Sequence, residues 1–135
     1  MARFCWNETC SLGERKVPAR AYWGISTLFA AENFPLSGRT IGSMRSQLWG
    51  FGAIKATAAR TNEKLGLLES ARSTAIRAAS LEVMDGLLDE HFVVDRIQGG
   101  AGTSTNLNVN EIVANRGLEL VGETKGDYAA PHPAA

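Results

Sequence analysis

The sequence predicts a mainly α-helical fold with a short β-hairpin at its start. Residues 3–23 read as extended chain, with aromatic and β-branched residues on either side of the turn signal Ser11-Leu12-Gly13-Glu14. Three later segments carry apolar residues at helical steps of three and four, over 44–65, 69–88 and 106–121. With 135 residues, 44% hydrophobic and 21% charged, the chain has the composition of one ordinary globular domain.

Composition and charge argue against several classes of protein. The formal net charge is zero, with 14 basic and 14 acidic side chains, so there is no electrostatic reason to expect nucleic acid or a membrane surface as partner. No segment approaches the roughly 18 apolar residues of a membrane span, and the N-terminus lacks the apolar run of a signal peptide, which predicts a cytoplasmic protein. Cys5 and Cys10 have neither zinc-pair nor CxxC spacing. We therefore expect free thiols and no metal site.

The hairpin and the first helix follow from turn and capping residues. Pro18 must lie at a strand edge or a strand end, because it has no N–H for a ladder hydrogen bond. Ser26 or Thr27 is expected to cap a short helix over 28–33. Pro35 is expected to end that helix through its restriction on the preceding residue.

Two longer helices come next. The first, over 44–65, includes Gly50 and Gly52, and an interior glycine costs roughly 1 kcal/mol relative to alanine. Close packing against another helix would compensate for that cost. Gly66 is the expected stop of this helix. Both helices are expected to be plain core, the first through Leu48, Phe51, Ile54, Ala58 and Leu65 and the second through Ile76, Ala79, Val83 and Leu87.

The densest concentration of chemistry is the stretch 99–108, Gly-Gly-Ala-Gly-Thr-Ser-Thr-Asn-Leu-Asn. Glycines let the backbone approach a ligand, hydroxyls offer donors, and the free N–H groups of a following helix carry partial positive charge. That helix is expected to begin near Asn106 or Asn108, with Asn108 and Glu111 at capping-box spacing and Gly122 as its stop. The combination predicts an anion site for a carboxylate or a phosphate. The alternative is a plain connection whose hydroxyls cap the next helix.

A nucleotide-binding loop is the weakest interpretation of this stretch. A Walker loop needs Lys-Ser or Lys-Thr after its last glycine, but Thr103 and Ser104 follow Gly102 and no lysine occurs before Lys125. A dinucleotide fingerprint needs a third glycine where Thr105 stands, and a stronger preceding strand.

Residues 99–116, GGAGTSTNLNVNEIVANR, closely resemble the GGAGTSTNMNxNEVIANR stretch of aspartate ammonia-lyases, which are members of the fumarase/aspartase superfamily. The run ENFPLSG at 32–38 and the run KGDY at 125–128 also resemble segments of that family, in the same order. Fumarases more often carry SGTQSN where this chain has AGTSTN at 101–106. The resemblance therefore favours an aspartase.

The resemblance implies a fold, a reaction and a site. It implies an N-terminal helical domain of the fumarase/aspartase type over 1–105 and the truncated start of a central helical domain over 106–135. Such enzymes eliminate ammonia from L-aspartate to give fumarate, and the organic step needs no cofactor. Thr103 matches the family threonine that contacts a substrate carboxylate, with Gly102 and Ser104 as its neighbours in that substrate-binding site.

The departures from the family pattern limit what this stretch of sequence is expected to do. The family's serine base and carboxylate-binding lysine lie on a loop that these 135 residues do not contain, so no catalytic residue is assigned and the chain alone is expected to be inactive. Full-length members are homotetramers. The alternatives are another lyase of the superfamily, such as fumarate hydratase, and a non-catalytic helical interaction module.

The sequence contains two histidines, His91 and His132. His91 lies near a helix end, where an imidazolium would interact favourably with the helix dipole, and a structural or solvated role is expected. His132 matches the first residue of the family's HPND motif, but the following asparagine and aspartate are absent.

Overall fold

The computed structural model describes residues 5–128, which form one hairpin and a set of helices. In the described range the chain has two strands, four α-helices and two single-turn 3-10 helices. The strands and α-helices are β1 Cys5–Cys10, β2 Gly13–Pro18, α1 Ile25–Asn33, α2 Arg45–Lys64, α3 Ser70–Asp85 and α4 Thr103–Leu120. The predicted fold class, mainly α with a short hairpin at the start, is confirmed.

The hairpin pairs β1 with β2 in antiparallel register, from Cys5 opposite Pro18 to Cys10 opposite Gly13. Pro18 is the last residue of β2, as expected from its missing N–H. Both cysteines are free thiols, which was also expected. Val17 is fully buried, and both strands contact α1. The hairpin therefore covers one side of the first helix.

Helix α1 begins earlier than the sequence indicated. It starts at Ile25 after Gly24, and neither Ser26 nor Thr27 caps it with a side chain, so that expectation was wrong. Its first N–H groups are instead bound by carboxylates that are distant in the sequence, and this allows the helix to begin before the residues that resemble a cap. The helix ends at Asn33, directly before Phe34 and Pro35, as expected.

Helices α2 and α3 pack side by side in opposite directions. A Cβ at Gly52 would lie 2.8 Å from the backbone oxygen of Ser80, and the Ser73 hydroxyl donates a 3.2 Å hydrogen bond to the carbonyl of Ala59. The close approach expected from the small residues of α2 is present at Gly52, whereas Gly50 has nothing within 4 Å of its Cβ position. Only one of these two glycines is needed for packing.

Glycines end the helices, and two of the expected apolar faces need correction. Gly66 and Gly122 follow α2 and α4 with φ of 71° and 81°, in the positions expected of them. Helix α3 stops three residues earlier than predicted, because Gly86 has a left-handed conformation with φ 83°. Leu87 is consequently 68% exposed, and its expected place in the core is taken by Leu88. Ile54 and Ala58 of α2, and Leu65 directly after it, are exposed and do not join Leu48 in the core.

The main core forms where α2, α3, α4 and the chain between α3 and α4 meet. Its fully buried members come from all of these segments: Leu48, Ala79, Val83, Val94, Val109 and Ile112. Across residues 5–128, no helix combines the length and apolar character needed to cross a membrane. The same residues contain no group of three or more His, Cys, Asp or Glu side chains that could hold a metal ion.

Candidate functional site

The candidate site lies where the glycine loop, residues 99–102, meets the start of α4. Gly100 and Gly102 have φ of 70° and 76°, a left-handed conformation that L side chains rarely adopt. Gly102 is the N-cap of α4, and the helix begins at Thr103. The expected start near Asn106 or Asn108 was therefore wrong, because Gly102 turns the backbone into the helix before the hydroxyl residues are reached.

The first turn of α4 has backbone N–H groups without a hydrogen-bond partner inside the helix. The first intrahelical hydrogen bond runs from the N–H of Asn106 to the carbonyl of Gly102, at 3.2 Å, and no side chain caps the helix. The preceding N–H groups, on residues 103–105, therefore have no partner within the helix. Thr103 is exposed, Ser104 is half-buried and Thr105 is 5% exposed. The three predicted site residues, Gly102, Thr103 and Ser104, thus lie together at an accessible helix N-terminus.

The expected capping box of Asn108 and Glu111 does not exist. Both residues lie inside α4 and are buried, with exposures of 0% and 3%. The Asn108 amide donates to the carbonyl of His91 at 3.2 Å, and the Glu111 carboxylate accepts hydrogen bonds from the start of α1. Asn108 and Glu111 have the spacing of a capping box, but their side chains bind backbone groups of other elements.

Lys55 of α2 lies beside this helix N-terminus and adds a positive charge to it. It was not predicted as a site residue from the sequence. Its Nζ donates a 3.2 Å hydrogen bond to Oδ1 of Asn106 in the first turn of α4. Burial lowers the pKa of the Lys55 ammonium. Among the residues that the structure describes, no carboxylate forms an ion pair with it. In the sequence, Lys55 stands within a run of small residues, and this pattern does not indicate its contact with Asn106.

Asp95 anchors the chain that leads into the glycine loop. Its carboxylate accepts hydrogen bonds from the backbone N–H groups of Ser37, Gly38 and Ile97, at 2.6, 3.1 and 2.8 Å, and from the Ser37 hydroxyl at 2.7 Å. Burial raises the pKa of this carboxyl, but the hydrogen bonds from Ile97, Ser37 and Gly38 outweigh that effect and lower the pKa to about 2. Asp95 was not predicted from the sequence, since its donors on Ser37 and Gly38 lie almost sixty positions away.

His91 is a buried structural residue, as expected, but for a different reason. Its Nδ1 accepts a 3.4 Å hydrogen bond from the N–H of Tyr22, and the two rings meet edge to face with centroids 4.8 Å apart. Burial lowers the pKa of His91, so the neutral imidazole is favoured over the imidazolium that the helix-dipole argument assumed. His132 lies outside the described residues.

Comparison with known protein families identifies the fold that carries this site. A family profile described as "Lyase" matches residues 13–134, which include β2, all four α-helices and the glycine loop. The chain belongs to this lyase family.

Curated relatives in the lyase family carry two different activities. The chain is 49% identical over 126 residues to the class II fumarate hydratase of Halobacterium salinarum, covering 93% of this chain and 26% of that protein. It is 48% identical over 122 residues to an aspartate ammonia-lyase of Pseudomonas canavaninivorans, covering 90% of this chain and 26% of that protein. The chain thus spans about a quarter of the length of the curated relatives it matches. These relatives support a lyase of the superfamily and do not separate the two reactions.

A solved lyase structure has the same fold. The crystal structure of the Brucella melitensis "fumarate lyase:delta crystallin" bound to cobalt superposes with a TM-score of 0.93 at 47% sequence identity. The similarity covers 96% of this chain and 28% of that chain. The fumarase/aspartase type of helical fold, expected from the sequence resemblance, is confirmed.

Proposed function

We propose that this chain is the N-terminal part of an aspartate ammonia-lyase, in which Gly102, Thr103 and Ser104 bind one carboxylate of L-aspartate or fumarate. The observation that carries the proposal is the start of α4 at Thr103, directly after the left-handed Gly102. This conformation leaves N–H groups and two hydroxyl residues accessible at the positive end of a helix of 18 residues.

Lys55 supports a ligand with more than one negative charge. Its ammonium lies one turn along α4 from Thr103, at Asn106, and forms no ion pair with another described residue. A helix N-terminus and a lysine together would stabilise a dicarboxylate, and more strongly the enediolate-like dianion that forms when the β-proton of aspartate is removed. In this proposal the chain holds and polarises the carboxylate, and the proton is removed by the family's serine base, which these 135 residues do not supply.

Several parts of the proposal extend beyond this site. We propose residues 1–105 as the N-terminal domain and 106–135 as the start of the central domain, a boundary that falls within α4. We further propose a cytoplasmic homotetramer as the full-length form and an inactive chain when these residues stand alone. Fumarate hydratase is the second candidate function, since the chain is as similar to a class II fumarate hydratase as to aspartate ammonia-lyases, at 49% and 48% identity.

Ligand binding to the 135-residue chain tests the site. Fumarate is titrated into 15N-labelled protein, and we expect the amide signals of residues 102–106 to shift. Thr103→Val should weaken binding by about 1 to 3 kcal/mol, because it removes a hydroxyl donor. The matched control is Thr74→Val on an exposed position of α3. Equal affinities for the two variants would remove Thr103 from the site.

A turnover assay separates the two reactions. A full-length lyase that contains these residues is supplied with fumarate, with and without ammonium, and the products are identified by NMR. Aspartate as the main product supports the aspartase, whereas malate as the main product supports fumarate hydratase. The 135-residue chain alone is expected to give neither product.

A further inference from the structure

The segment 34–38, between α1 and α2, contacts the chain at Asp95 and at Gly99, the first residue of the glycine loop. At the first, the Asp95 carboxylate gathers the N–H groups of Ser37, Gly38 and Ile97 around its two oxygens. At the second, the Phe34 ring lies against Gly99, so closely that a Cβ on Gly99 would be 3.0 Å from Cζ of the ring. The chain from Asp95 to Gly99 is therefore held in place by its contacts with segment 34–38.

Further hydrogen bonds fix the residues on both sides of Asp95. Thr40 and Asp95 form an antiparallel bridge, the N–H of Arg96 donates to the carbonyl of Arg39 at 2.9 Å, and the N–H of Ile41 donates to the carbonyl of Val94 at 2.9 Å. The Gln98 amide also donates to the carbonyl of Asp95 at 2.7 Å. Residues 94–98 thus have a fixed path up to the point where the glycines begin.

Only Gly100, Ala101 and Gly102 separate Gly99, which packs against Phe34, from Thr103. Because this connection is only three residues long, we expect a displacement of Gly99 to shift the start of α4 as well. The Asp95 carboxylate is also negatively charged and occupied by four donors, which makes it unsuited to contact a carboxylate ligand directly.

Resting on the function proposed above, we propose that Asp95 is a positioning residue for the carboxylate site: by joining Ser37, Gly38 and Ile97, with Phe34 packed on Gly99, it sets where the glycine loop delivers Thr103 and Ser104. The role is indirect, because Asp95 acts through the loop. It predicts that weakening this cluster changes the loop and the affinity for the ligand together.

The test compares Asp95→Asn with Asp89→Asn. Both variants remove one carboxylate charge, but Asp89 pairs with Arg45, next to the last turn of α3. The order of the backbone amides of residues 99–104 is measured by 15N NMR relaxation, and fumarate is titrated into each protein. We expect Asp95→Asn to lower the backbone order of the loop and to weaken fumarate binding by about tenfold or more, and Asp89→Asn to change neither.

Ser37→Ala provides a milder variant if Asp95→Asn does not fold. It removes the hydroxyl that donates to Asp95 and leaves the three backbone donors, so the same two changes are expected at a smaller size. Loop order and fumarate affinity equal to wild type in the folded variant would overturn the positioning role. Equal effects of Asp89→Asn and Asp95→Asn on the loop would also overturn it, because the loss of any nearby carboxylate charge would then disturb the loop.

Failure of the proposed function gives a different result from failure of the positioning role. If fumarate does not bind the wild-type chain, the carboxylate site is wrong, yet the 15N relaxation rates still decide whether Asp95 orders the loop. If fumarate binds and shifts residues 102–106 while Asp95→Asn leaves both readouts unchanged, the site stands and only the positioning role is lost.

Discussion

The Glu111 carboxylate in the middle of α4 accepts a 2.8 Å hydrogen bond from the backbone N–H of Gly24, the residue before α1. It also accepts the N–H groups of Ser26 and Thr27, at 2.9 and 3.1 Å, and Glu8 of the hairpin accepts that of Ile25 at 3.1 Å. Two carboxylates from distant parts of the chain thus bind the N–H groups that α1 cannot satisfy itself, at the end where negative charge is favoured.

Replacing Glu111 by glutamine is expected to destabilise the fold. Glutamine keeps the size of the side chain, but it loses the charge and turns an amide donor toward N–H groups that are also donors. We expect a loss of about 2 to 3 kcal/mol in the free energy of unfolding, measured with urea. The control is Glu14→Gln at an exposed position of β2, which should change little. A loss below about 0.5 kcal/mol for Glu111→Gln would show that the cap contributes little.

Alanine at Gly52 and at Gly50 is expected to have opposite effects. The added Cβ at Gly52 would lie 2.6 Å from Cγ of Met84 and 2.8 Å from the backbone oxygen of Ser80, so α2 and α3 must move apart. We expect Gly52→Ala to cost about 1 to 3 kcal/mol despite its better helix propensity. Gly50→Ala meets no atom within 4 Å and should stabilise the protein by about 0.5 to 1 kcal/mol. Thermal unfolding of both variants measures the change in stability. A change of the same sign in both variants would contradict the prediction.

The pKa of His91 links stability to pH. Burial lowers this pKa from its ordinary value of 6.5, and nearby Lys125 and Arg20 lower it further, against the opposite effect of Glu90. The unfolded chain then binds the proton first as the pH falls. Stability from this group is therefore fully present above pH 6.5 and is lost as the pH falls through the folded pKa.

An NMR titration of the His91 ring protons measures that pKa, and a His132→Gln variant assigns the signal. Urea unfolding at several pH values gives the stability. Replacing His91 by glutamine, which keeps an acceptor for the N–H of Tyr22, should flatten the pH dependence between neutral pH and pH 5. A His91 pKa at or above 6.5 would be incompatible with a buried neutral imidazole.

Removing the charge of Lys55 is expected to weaken dicarboxylate binding. Lys55→Met keeps most of the side-chain length and loses the ammonium beside Asn106, so the affinity for fumarate should fall about fivefold, or roughly 1 kcal/mol. The matched control is Lys64→Met at the exposed last residue of α2. Titrations at low and high salt provide a second readout, since the difference between wild type and Lys55→Met should shrink as salt screens the charge. Unchanged affinity would place Lys55 outside the site.

Local sequence signals predicted most of the fold. The paired strands follow from residue types on either side of a turn, and Pro18 lies where its missing N–H requires. Gly66 and Gly122 end helices because left-handed backbone is favourable only for glycine or a few other residues. Each of these signals acts on the few residues around it, so it can be interpreted without knowing what lies across the fold.

The candidate site was predicted in part. Gly102, Thr103 and Ser104 do lie together, because they are consecutive and follow a glycine turn. Lys55 and Asp95 could not be found in the same way, since their contacts with the site depend on how α2 and the segment 34–38 pack against the glycine loop.

The sequence by itself determined the element types, several of their ends and the membership of the glycine stretch in a recognisable motif. Tertiary structure alone decided which partner each polar side chain serves. Glu111 has the spacing to cap its own helix but caps α1, and Asp95 binds donors from residues 37 and 38. The physical reason is that a carboxylate binds whichever N–H groups packing brings within about 3 Å, and packing is a property of the whole fold.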